Sequence, residues 1–169
     1  MQYLGEFIDN SFGDKFLFEV NRHTLKQFPA STIHEKRFGK LIKQENKIYF
    51  FVGSDSGTLF DFLQNAEIGS GTRVIVIELQ EVFNRLSEII DFTTIDKRVT
   101  TTTFESLFQQ EQQILQLITN YVYVDGVHLV QTLASEYDFL EQYHNNNLAF
   151  QIKLNQLIWA IKASLGKEI

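Results

Sequence analysis

A chain of 169 residues suits a single domain, and 44% hydrophobic content with 16 Phe and 6 Tyr supplies a core without covalent staples. The absence of Cys excludes a disulfide framework, a thiolate metal site and a cysteine nucleophile. A net charge of −6 argues against a nucleic-acid partner, because phosphate contacts need a dense basic surface.

The first residues, Met1 to Glu6, have neither a basic region nor an apolar run, so no secretory signal is expected there. No apolar stretch approaches the roughly 18 residues that cross a bilayer, so the expectation is a cytoplasmic protein with no membrane partner. The short apolar run at 16–20 is rich in β-formers and predicts a strand. Residues 21 to 45 are polar and basic, and Pro29, the single proline, punctuates a loop before a helix expected near 33–43. Lys47-Ile48-Tyr49-Phe50-Phe51-Val52 is apolar at nearly every position, as a strand covered on both faces of a parallel sheet must be. It runs into Gly53-Ser54-Asp55-Ser56-Gly57, after which Leu59, Phe62 and Leu63 take the spacing of one buried helical face.

Gly69-Ser70-Gly71 ends that helix, and the mostly β-branched 73–78 stretch predicts another strand. A helix with Val82, Phe83, Leu86, Ile89 and Ile90 as its apolar stripe comes next. The Thr-rich 98–103 stretch reads as an edge strand. Residues 105–119 predict a helix with Leu107, Phe108, Leu115 and Ile118 inward and Gln109 to Gln113 wet; 121–124 predicts a strand. Two helices, near 128–143 and 147–165, are expected to follow, the last with Leu154, Leu157, Ile158, Ile161 and Leu165 on one side and Gly166 as its cap. Strands alternating with helices in this order define an α/β fold, a Rossmann-like three-layer domain with a mostly parallel sheet and a helical C-terminal end. One domain over 1–169 is expected. Its stop three residues after a helix cap suggests the N-terminal part of a longer protein.

Charge is uneven along the chain. From 22 to 47, seven basic residues (Arg22, Lys26, Lys36, Arg37, Lys40, Lys43, Lys47) face two acidic ones (Glu35, Glu45), which leaves +5 locally and −11 elsewhere. A solvated helix face is the plainer explanation, and attraction of an anion such as a sugar phosphate or an acidic domain is the sharper one.

The glycine loop is the best candidate for chemistry. Gly between a buried strand and a helix permits positive φ and lets backbone N–H groups approach a ligand. Glu78, at the tip of the next strand, would face the same crevice and could accept hydrogen bonds from ribose hydroxyls. The pattern is G-x-x-x-G, not the dinucleotide G-x-G-x-x-G, and Asp55 would repel a pyrophosphate. An S-adenosylmethionine site tolerates looser glycine spacing; a nucleotide sugar is a further candidate. The competing reading is a tight turn capped by Ser56 or Thr58 with no ligand. The candidate ligand-binding residues are Gly53, Ser54, Asp55, Ser56, Gly57 and Glu78, with Arg22 and His23 close to a strand end. The four His show no metal-ligand spacing, no Ser lies in G-x-S-x-G, and Asp9 with Asp14 read as loop residues, so no metal site and no catalytic residue are assigned. Trp159 reads as packing, not as a stacking platform.

Taken together, residues 16–25 (FLFEVNRHTL), 48–57 (IYFFVGSDSG) and 71–79 (GTRVIVIEL) resemble the N-terminal region of bacterial motility-associated-factor (Maf) flagellin glycosyltransferases. The resemblance covers about residues 16–130 and implies a Rossmann-like domain ahead of a separate catalytic domain on the same polypeptide. It implies a cytoplasmic enzyme that adds nonulosonic acids of the pseudaminic or legionaminic type to Ser or Thr of flagellin. None of the family's catalytic residues has a match in this chain. The expectation is a non-catalytic domain that supports docking or acceptor recognition, with flagellin as a further partner. A methyltransferase-like domain that binds S-adenosylmethionine is the alternative.

Overall fold

A computed structural model describes residues 4–109, 126–133, 152 and 156. The chain opens with a small antiparallel hairpin, β1 (Phe7–Asp9) with β2 (Lys15–Leu17), followed directly by α1 (Phe18–Leu25) and α2 (Ala30–Ile42). Then come β3 (Lys47–Val52), α3 (Thr58–Asn65), β4 (Arg73–Glu78), α4 (Gln80–Leu86), a 3-10 turn (Phe92–Thr94), β5 (Val99–Thr103), α5 (Phe104–Gln109) and β6 (Gly126–Gln131). The four long strands form one sheet in the order β5-β4-β3-β6 with every pairing parallel. The fold is therefore α/β, with helices flanking an all-parallel sheet in the Rossmann-like manner.

Parallel pairing demands cover on both faces, and the two central strands answer with unbroken apolar sequence. Ile48, Tyr49, Phe50, Phe51, Val52, Val74, Val76 and Ile77 are all fully buried. On one face, Phe51 meets Phe38 of α2 edge-to-face at 5.1 Å, and the Tyr49 hydroxyl donates to the Leu41 carbonyl at 2.7 Å. That geometry seats α2 over β3, and Arg37 reaches β6 by donating to the Gln131 carbonyl at 3.3 Å. Leu59 and Leu63 bury one side of α3, while Phe60 meets Phe92 edge-to-face at 5.4 Å. Thr-rich β5 does lie at the end of the sheet, and its three central residues are half-buried.

Several expectations need correction. The 16–20 run is a strand only as far as Leu17. The Phe18 and Glu19 N–H groups turn back to the Glu6 and Leu4 carbonyls, and helical winding then buries Val20 and Leu25. Residues 128–131 are not the start of a helix. They belong to β6, where Val127, Leu129 and Val130 add to the core beside β3. A short apolar run does not distinguish strand from helix, and a sheet position decided it. In the stripe after β4, Ile89 turns out to solvent at 45% exposure while Val82 and Leu86 are buried. The expected strand at 121–124, the distal part of the 105–119 helix, most of the two C-terminal helices, Trp159 and Gly166 lie outside the described residues. Among the described residues, no helix is long and apolar enough to cross a membrane.

Candidate functional site

The register Phe51↔Val76 and Val52↔Ile77 carries the C-terminal ends of β3 and β4 to the same lip of the sheet. The glycine loop leaves β3 there, and Glu78 closes β4 beside it. A tight return from strand to helix requires left-handed backbone at four of the five loop positions: Gly53 (φ +87°), Asp55 (+49°), Ser56 (+56°) and Gly57 (+86°). Glycine tolerates this freely, whereas for Asp55 and Ser56 it costs on the order of 1–2 kcal/mol each. The two strained residues are held by hydrogen bonds from distant elements.

Asp55 is fully buried. Its Oδ1 accepts from Asn21 Nδ2 of α1 at 3.0 Å and its Oδ2 from the Leu133 N–H at 3.2 Å. Ser56 Oγ donates to Asn21 Oδ1 at 2.6 Å and accepts from the Leu17 N–H at 3.0 Å. One amide of α1 thus grips two adjacent loop side chains while β2 holds the second. The expected cap of α3 by Ser56 or Thr58 is not made. Gly57 takes the cap position, and Thr58 Oγ1 donates instead to the Asp55 carbonyl at 2.8 Å.

Glu78 does point to the lip, but its carboxylate is spent there. Oε2 accepts from Ser54 N at 2.9 Å and from Ser54 Oγ at 2.6 Å, and Oε1 accepts from Leu79 N at 2.8 Å. Glu78 has no exposed surface, and all five loop residues are buried. The carboxylate therefore takes the Ser54 donors that a phosphate would need, its own oxygens are already paired where a ribose hydroxyl would donate, and a second buried carboxylate, Asp55, lies in the same loop. Arg22 and His23 stand apart. Both are exposed on α1, where Arg22 pairs with Glu19 at 3.6 Å and lies over the Phe18 ring at 5.2 Å.

Two side chains of this site were not singled out from the sequence: Asn21 and His34. His34, from α2, is fully buried with Nε2 3.0 Å from Thr58 Oγ1 and 3.9 Å from Asp55 Oδ2. Because the Thr58 hydroxyl proton already goes to the Asp55 carbonyl, His34 must donate from Nε2. Nδ1 is then a bare acceptor, buried with no hydrogen-bond partner. Burial lowers the His34 pKa below its ordinary 6.5 despite the nearby Asp55, and the ring stacks on Phe38 at 5.8 Å as a neutral aromatic. Neither residue sits in a recognisable motif. Asn21 directly follows the apolar 16–20 run and His34 falls in the polar, basic 21–45 stretch, where neither stands out from its neighbours.

Beyond the loop, a cavity of about 270 Å³ lies between α2 and α3, lined by Asp14, Glu35, Thr58, Asp61, Phe62 and Asn65 among others. Burial and the neighbouring Asp14 raise the Asp61 carboxyl above its ordinary range. Among the described residues, no cluster of three or more His, Asp or Glu is placed to hold a metal ion.

Fold and site together define a Rossmann-like α/β domain whose loop at the sheet's C-terminal lip is closed by the chain's own side chains. No protein-family model matches the chain, and no curated protein or solved structure matches it.

Proposed function

We propose that this chain is a non-catalytic Rossmann-like domain of a flagellin-modifying glycosyltransferase, serving docking or acceptor recognition for an enzyme that transfers nonulosonic acids to Ser or Thr. The observation that carries the non-catalytic half is the self-satisfied lip: both Glu78 oxygens and both Asp55 oxygens take hydrogen bonds from the chain itself. A working nucleotide or S-adenosylmethionine site keeps such groups for its ligand. The glycosyltransferase half rests on the resemblance of residues 16–25, 48–57 and 71–79 to Maf proteins. The test incubates the 1–169 chain with flagellin and a nucleotide-activated nonulosonic acid, then reads glycosylation by mass spectrometry. No transfer is expected, and flagellin should co-sediment with the chain. Transfer by this chain alone overturns the first half, and no association with flagellin counts against the second.

The alternative, an S-adenosylmethionine-binding domain, draws on the loop's place at the C-terminal end of β3 next to Glu78. It requires the lip to open. Ligand at a hundredfold excess over its dissociation constant would stabilise the chain by about 2.7 kcal/mol. A melting curve unmoved by millimolar S-adenosylmethionine rules this reading out.

A further inference from the structure

Helix α2 turns different chemistries to its two sides. Toward the core it buries His34, Phe38 and Ile42. Outward, Lys36, Lys40 and the cap residue Lys43 are exposed at spacings of four and three, which sets them in one row about 10 Å long. Among the described residues, none of the three ammonium groups makes an ion pair or a hydrogen bond. The other charged side chains of the helix leave the row. Glu35, its one carboxylate, folds over Gly39 and lines the cavity toward α3. Arg37 donates to the Gln131 carbonyl at 3.3 Å and lies over the Phe38 ring at 5.2 Å. The next acidic residue along the chain, Glu45, lies past the end of the helix.

The fold does not account for this row. Lysines stabilise the last turn of a helix, which covers Lys40 and Lys43 but not Lys36, a turn farther in. Like charges at these spacings cost helix stability instead. A row that opposes its own helix and has no internal counter-charge is complementary to an anion from outside. The charge distribution selects the kind of anion. Residues 22–47 carry +5 and the rest of the chain −11. A nucleic-acid duplex or an acidic membrane extends across the whole face of the molecule and meets that negative charge. A folded acidic segment of a protein touches the row alone, and at physiological salt charges beyond about 8 Å are largely screened from it. Phosphate recognition also favours the planar fork of Arg, and the row holds none.

We propose that Lys36, Lys40 and Lys43 form a docking surface for an acidic protein segment, a helix presenting carboxylates at matching spacing. The inference deepens the docking role proposed above and rests on it, since the protein that bears the segment is the one the domain docks to. Exposed ammonium groups keep much of their water, so the contact acts chiefly by steering and orienting the partner. It raises the association rate, and ionic strength weakens it.

Fluorescence anisotropy of a labelled helical peptide with glutamates at spacings of four and three, titrated with the 1–169 chain, tests this. Saturable binding at about 50 mM salt that falls steeply by about 300 mM is expected. Lys36→Gln/Lys40→Gln/Lys43→Gln should weaken it about tenfold or more, whereas the charge-matched Lys15→Gln/Lys26→Gln/Lys97→Gln, outside α2, should change it less than about twofold. All of these lysines are exposed, so circular dichroism should show unchanged folding. A DNA duplex and phosphatidylserine vesicles should bind more weakly than the peptide. No peptide binding at low salt, equal losses in the two triple variants, or tighter binding of the duplex or the vesicles overturns the proposal. Flagellin that co-sediments with the α2 triple variant as well as with the native chain also overturns it, while leaving the docking reading in place.

Discussion

Glu78 Oε2 accepts two hydrogen bonds from one residue, Ser54, through its backbone N–H at 2.9 Å and its hydroxyl at 2.6 Å. This pair ties the end of β4 to the first turn of the glycine loop. It makes a buried carboxylate the internal partner of groups that another Rossmann-like domain would turn toward a ligand.

Replacing Glu78 by Ala strands the Ser54 N–H, the Ser54 hydroxyl and the Leu79 N–H in a fully buried place. An unsatisfied buried donor costs about 1–3 kcal/mol, so the variant should lose about 3 kcal/mol or more. For a chain of this size that is a fall of roughly 6–12 °C in Tm. Thermal and urea denaturation followed by circular dichroism measure it. A loss below about 0.5 kcal/mol would mean that water or rearrangement replaces the carboxylate.

Asn21 and Asp55 should behave as one unit. Asn21→Ala removes the grip on both Asp55 and Ser56, whereas Asp55→Asn disturbs the bonds to Asn21 and Leu133. A double-mutant cycle on unfolding free energy should give a coupling of about 1–2 kcal/mol. Additive effects would show that the two side chains act independently.

Two glycines with the same backbone conformation should respond differently to alanine. Gly13 (φ +89°) has open space where a Cβ would go, so Gly13→Ala should cost only the left-handed penalty of about 1 kcal/mol. At Gly57 (φ +86°) the added carbon would stand 2.6 Å from Ile90 Cδ1 and 3.2 Å from Leu86 Cδ2. Gly57→Ala should add overpacking of about 1–3 kcal/mol to that penalty. Equal losses at the two sites would contradict the packing of α4 against the loop.

His34 should make the domain acid-sensitive. Its folded pKa lies below the unfolded 6.5, so on acidification the unfolded chain takes up the proton first. The sign is therefore destabilising as pH falls, with the loss beginning near pH 6.5 and growing until the folded-state pKa is reached. Above that range the group contributes nothing to the slope. Unfolding free energies between pH 8 and 5 should decline in the native chain and stay flatter in His34→Gln; matching slopes would remove His34 as the cause.

The parallel sheet was legible because its two central strands carry apolar residues at nearly every position, a pattern that only two-sided burial explains. The glycine loop and the helix after it were legible for a similar local reason: Gly53 and Gly57 bracket the turn, and Leu59, Phe62 and Leu63 share one helical face. The hairpin at the start was not seen, although Asp9-Asn10 and Gly13-Asp14 are turn-forming residues between short apolar runs. Phe18 was assigned to a strand and entered a helix because bonds to the Leu4 and Glu6 carbonyls, not propensity, set the turn. At the lip, the sequence showed that Glu78 could reach the loop. What occupied its oxygens was settled by Ser54, Leu79 and long-range neighbours, and pairings of that kind leave no trace in spacing.

The loop also bears on how this chain acquires its shape. Its awkward backbone is held by Leu17, Asn21, His34, Glu78 and Leu133, partners 24 to 78 positions away along the chain. The full set is complete only when the first helices, both central strands and the stretch after β6 have come together. The turn should therefore set late, and a fragment covering only β3 through β4 would keep the Glu78 tie but leave the Asp55 and Ser56 side chains without their Leu17, Asn21 and Leu133 partners. Contacts of such long range slow the search for the native topology. Substitutions at Asp55 or Ser56 should accordingly speed unfolding far more than they slow folding.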